Sequence, residues 1–125
     1  MINYPLYKSI DDVLALLYED TAFNHCIMHQ HSVGYFPYKH YVNMGFDALE
    51  IHIDAGGPSA EQLFNVHKEI LSEKPMIIWG DIPETDMDWI FSKLPVEGLA
   101  VLTVVDAPER SADLWERYCS SYIPD

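Results

Sequence analysis

Hydrophobic and polar positions along this chain switch repeatedly between a helical and a strand period. Ser9-Ile10-Asp11-Asp12 has the form of a capping box, with an acid three residues after the serine. Val13, Leu14 and Leu17 follow at helical spacing and predict a first helix. Residues 23–31 carry no helical stripe and read as a strand. Residues 35–44 hold four aromatics around Pro37, which predicts a loop or a short irregular helix. Residues 48–54 then alternate apolar and polar with period two, and Gly56-Gly57-Pro58 ends them. Residues 59–72 predict a helix, with Ser59 and Gln62 as cap partners and Leu63, Val66 and Ile70 on one stripe. The apolar run 75–79 reads as a buried strand closed by Gly80. Thr85 is placed to cap a helix that turns Met87, Ile90, Phe91 and Leu94 one way. Residues 99–105 predict a second fully apolar strand, and residues 108–122 an amphipathic closing helix through Leu114, Trp115, Tyr118, Cys119 and Tyr122.

Four strands alternating with five helices argue for a layered α/β or α+β domain, a single one spanning residues 1–125. A helical connection between the strands holding Ile53 and Met76 predicts that those two are parallel and joined by a right-handed crossover. The segment joining the last two strands is long enough for either orientation.

Charge narrows the partners. Asp and Glu number 20 against 7 Lys and Arg, a net charge of −13. Such a chain repels phosphate backbones and anionic lipid, which argues against nucleic-acid and membrane-surface binding. No apolar run approaches the length of a membrane span. Cys26 and Cys119 fit no metal-ligand spacing, and with no leader in view they read as free thiols of a cytoplasmic protein.

Chemical motifs are sparse. Neither a phosphate-binding loop of Walker type nor a dinucleotide fingerprint is present, and Gly56-Gly57 is most simply a sharp turn. Six histidines raise the possibility of a metal. His29 and His31 would share one strand face about 7 Å apart, whereas His25 would stand about 13 Å from His29. His52, flanked by Glu50 and Asp54, could add a ligand only if its strand were the neighbour, in register. A solvated polar face with ordinary pairs is the simpler reading, so spacing assigns no metal ligands and no cofactor. The carboxylates Asp81, Glu84, Asp86 and Asp88 sit where helix starts favour acids, and no catalytic residue is assigned. Tyr35, Phe36, Tyr38 and Tyr41 form either an exposed contact patch or a lid on the core.

From Glu50 to Val105 the order of short motifs resembles the C-terminal domain of FtsZ, the bacterial tubulin homologue. The matching residues are Gly56-Gly57, Leu63, Val66, Glu69-Ile70, Ile77-Ile78-Trp79-Gly80 and Leu102-Thr103-Val104. The resemblance implies a four-stranded mixed sheet packed against helices. Nothing here corresponds to that family's GTP-binding domain. Where the family's catalytic loop carries Asn and Asp, this chain has Tyr7 and Ser9, keeping only Asp12. The implied role is a non-enzymatic interaction module that self-associates as a homo-oligomer, or caps filaments of FtsZ or another tubulin-like protein. Asp11, Asp12, Tyr35, Phe36 and Tyr38 are its contact candidates. The alternative is a small oligomeric enzyme with an intersubunit active site, like the Bacillus-type chorismate mutases. Arg110 and Arg117, the only arginines, both fall in the last helix and would serve an anionic substrate poorly.

Overall fold

The computed structural model describes residues 24–34 and 36–122. The helix expected after Ser9 and the contact candidates Asp11, Asp12 and Tyr35 lie outside those residues. The described chain runs β1 (Ile27–His31), α1 (Tyr38–Val42), β2 (Ala48–Ile53), α2 (Phe64–Glu73), β3 (Met76–Gly80), α3 (Glu84–Lys93), β4 (Leu99–Thr103) and α4 (Pro108–Tyr118), and closes on a 3-10 turn, Ser120–Tyr122. No helix among the described residues is long and apolar enough to cross a membrane.

The sheet is not mixed. All four strands are parallel, in the order β1-β2-β3-β4. Each strand is followed by a segment that returns across the sheet to begin the next strand at the same end, as parallel pairing requires. For the last pair the return is α3, whose Met87 and Ile90, with Leu94 at its C-cap, are buried in the shared core, so β4 starts level with β3.

Sequential order has a second consequence. Right-handed crossovers that always step in one direction put their helices on one face of the sheet. Leu49, Ile51, Ile53, Met76 and Ile78 point to that face and form one core with Ala60, Ile70, Met87, Ile90 and Leu94. Tyr118 of α4 extends the core by stacking on Phe91, ring centroids 4.8 Å apart. The run 75–79, expected to be a buried strand, is buried on one face only, through Met76 and Ile78; on the opposite face Trp79 is 38% and its β4 neighbour Leu102 49% exposed.

Boundaries shift where local hydrogen bonding overrides periodicity. The Ser59–Gln62 cap forms as expected, with Ser59 N–H donating to Gln62 Oε1 (2.9 Å) and Gln62 N–H to Ser59 Oγ (3.3 Å). It closes a separate turn, because the N–H of Phe64 bonds to Glu61 three residues back rather than continuing the four-residue ladder. The regular helix starts only at Phe64. Thr85 does not cap α3: the cap position is Pro83, whose carbonyl accepts from the N–H groups of Asp86 and Met87. The closing helix ends at Tyr118, not Tyr122.

Candidate metal centre

Period two places His29 and His31 of β1 on the open face, and Glu50 and His52 of β2 beside them. The parallel register pairs His29 with Glu50 and His31 with His52. Asp54 follows just past the end of β2 and reaches back to the same group. Five polar side chains from two neighbouring strands thus converge on a face that no helix among the described residues covers.

The contacts are close. The Nδ1–H of His29 donates to Glu50 Oε1 at 2.5 Å, and that of His31 to Asp54 Oδ1 at 2.6 Å. His52 Nδ1 lies 3.1 Å from His31 Nδ1 and 3.3 Å from Asp54 Oδ1. The Nε2 atoms of His29 and His31 are 3.3 Å apart. Trp79 forms one wall, stacked on His52 at 4.7 Å and 25°. Asp54 and His52 are the more sheltered members, with side chains 20% and 22% exposed.

Two features of the group suit a cation. First, His31 Nδ1, His52 Nδ1 and Asp54 Oδ1 form a triangle with edges of 2.6, 3.1 and 3.3 Å. Donors on a tetrahedral zinc, at bond lengths of about 2.0–2.1 Å, stand about 3.3 Å apart. Only the shortest edge, now bridged by a proton, would have to open. Among the described residues this trio is the set of histidine, cysteine and acid side chains whose ligand atoms come together. Second, Asp54 Oδ2 is buried and has no hydrogen-bond partner among the described residues. A buried carboxylate oxygen without a partner is costly, and a cation beside it removes that cost.

The proton inventory leaves room for a cation. Glu50 needs a proton on His29 Nδ1, Asp54 needs one on His31 Nδ1, and the facing Nε2 atoms need one between them. That makes three protons on two rings, whereas two neutral imidazoles carry two. A cation in place of the proton at His31 Nδ1 would satisfy all three contacts with both rings neutral.

The other candidates have structural partners. His25 lies before β1, exposed, with its ring 3.8 Å from Asp47, so it does not join the cluster. Phe36 and Tyr38 are half-buried against the core, their rings 5.5 Å apart. The Tyr38 hydroxyl donates to Glu69 at 2.7 Å, a bond that raises the phenol pKa. Asp86 Oδ2 accepts from the N–H of Ala60, Asp88 accepts from the Tyr118 hydroxyl, and Glu84 faces both Arg110 and Arg117. Gly56-Gly57 is a turn, with Gly56 at φ +75° and the N–H of Gly57 bonded to Asp54 O.

Sequence spacing names all five members of the cluster but cannot supply the register that joins them. The legible signal is the complementarity of His-x-His on one strand with Glu-x-His-x-Asp on the next. No family model, curated protein or solved structure was found to match this chain, so the resemblance to the FtsZ C-terminal domain stands on motif order alone.

Proposed function

We propose that this protein is a metal-binding domain that holds one borderline divalent cation, zinc or a neighbouring first-row ion, between His31, His52 and Asp54. The observation that carries this reading is the donor triangle, three mutually close ligand atoms beside a buried carboxylate oxygen that has no partner among the described residues. Two imidazoles and one carboxylate suit zinc, copper or nickel, whereas calcium and magnesium favour all-oxygen shells. Three protein ligands leave a coordination position open to water or to an external donor. The exposed row formed by Trp79 and Leu102 continues from His52 across β3 and β4. A net charge of −13 draws cations to the surface as a whole, and the triangle supplies the selectivity.

The test is competition with a chromophoric chelator, using chelator-stripped full-length protein. One equivalent of zinc should bind with a dissociation constant of about 1 μM or tighter, a magnitude set by the few coordinate bonds available. His52→Ala and Asp54→Ala should each weaken it at least tenfold. Wild-type protein that fails to compete, or variants that compete equally well, would refute the assignment. The filament-contact reading has less to draw on, since Phe36 and Tyr38 are turned into the domain's own packing.

A further inference from the structure

Glu50 and His29 do not belong to the ligand triangle, yet they are tied to it through His31. Glu50 Oε1 accepts from His29 Nδ1 at 2.5 Å, which leaves His29 Nε2 as the ring's free acceptor. That atom faces His31 Nε2 at 3.3 Å. We propose that Glu50 and His29 are a positioning pair that decides which nitrogen of His31 binds the metal. With its Nε2–H donated to His29, His31 must offer its lone pair at Nδ1, the atom that already lies 3.1 Å from His52 Nδ1 and 2.6 Å from Asp54 Oδ1.

The arrangement is a carboxylate–imidazole–imidazole chain behind the ligand, longer by one ring than the usual carboxylate–histidine–metal triad. Each member fixes the next. The register makes the chain possible, because His29 opposite Glu50 and His31 opposite His52 put the four rings and acids in two adjacent rows. His29 and Glu50 also restrain the His31 ring against rotation, since turning it over would present Nε2 to Asp54 and break both contacts. Half-exposed side chains at His29 and His31 mean that substitution here need not disturb the core.

This inference rests on the metal reading, and the experiment separates the two. Zinc-loaded, ring-¹⁵N-labelled protein is examined by long-range ¹H–¹⁵N correlation, with zinc affinity measured in parallel. The expected spectrum has His31 protonated at Nε2 and metal-bound at Nδ1, and His29 protonated at Nδ1. His29→Ala should weaken zinc about 10–100-fold, the range seen when outer-shell partners of metal ligands are removed. His29→Gln, which keeps an acceptor near the position of Nε2, should recover most of that loss; a merely structural role would not be rescued in this way. Circular dichroism of both variants confirms that they fold. If wild-type protein binds zinc but His31 coordinates through Nε2, or if His29→Ala binds as tightly as wild type, the positioning role is overturned and the metal site stands. If wild-type protein binds no zinc, both fall.

Discussion

His67 offers a stability measurement whose sign and size follow from one buried side chain. It lies on the inner face of α2 beside Ile70, fully buried, and neither ring nitrogen has a hydrogen-bond partner among the described residues. Burial disfavours the imidazolium and pushes its pKa from 6.5 down to about 4. Below pH 6.5 the unfolded chain takes up a proton at this residue that the folded chain does not take up until about pH 4. Acidification through that window therefore favours unfolding, at about 1.4 kcal/mol per pH unit. Between about pH 7.5 and about pH 4.5 the loss attributable to His67 alone is about 2.5 kcal/mol. The assay is urea denaturation across that range for wild type and His67→Leu, both stripped of metal. Leucine fills a similar volume and removes the two unpaired nitrogens, so the carboxylates and the open-face histidines contribute equally to both proteins and cancel. The wild-type advantage or deficit at neutral pH should move by about 2.5 kcal/mol against the wild type on acidification. A difference constant to within about 0.5 kcal/mol would show that His67 reaches solvent or a proton donor in the folded state, and the argument from burial would fail.

Two further substitutions probe the elements that hold the site. At Gly80 an added Cβ would sit 2.5 Å from the Ile53 carbonyl oxygen and 3.1 Å from His52 Cδ2, at a φ of +149°. Gly80→Ala should cost about 2–4 kcal/mol in urea denaturation and also weaken zinc binding, because relief of the clash displaces His52 or the end of β2; a loss under about 1 kcal/mol would refute the close approach. Asp86 Oδ2 accepts from the buried N–H of Ala60 at 3.2 Å. Asp86→Ala should cost about 1–3 kcal/mol in the same assay by leaving that donor unpaired, whereas Asp86→Asn, which keeps an acceptor, should cost less than half as much; equal losses would show that the bond is not what matters.

Much of the fold is legible from period and punctuation. The alternation in residues 48–54 finds β2 because one of its faces is buried and the other polar, and the stripe of Met87, Ile90 and Leu94 finds α3 because all three enter the core. Orientation is harder. Nothing in residues 99–105 distinguishes a parallel from an antiparallel partner, because that depends on where α3 returns the chain. A fully apolar run is also ambiguous: Trp79 and Leu102 fit a strand covered on both faces, and they stand in one covered on a single face. Strand order decides between these, and strand order is a property of the whole sheet.

The same one-sidedness explains why the site could be seen in the sequence only as a list. His67 and His52 are the same residue type, and local sequence does not tell their roles apart. One falls on the inner face of a helix and is sealed from water; the other falls on the outer face of a strand, next to a strand carrying two more histidines. A shift of one residue in the β1–β2 register would turn His31 away from His52 and place Gln30 or Ser32 opposite it. On the inner face Met28 meets Leu49 at the core, and the buried Gln30 stands opposite Ile51. The packing on one side of the sheet thus aligns the donor atoms on the other, since a one-residue slip of the edge strand β1 would turn Met28 out of the core and His29 and His31 into it, a cost the polar contacts could not return. The ligand geometry is in this sense set by the hydrophobic core, and the five polar side chains need contribute little to stability to be held in place.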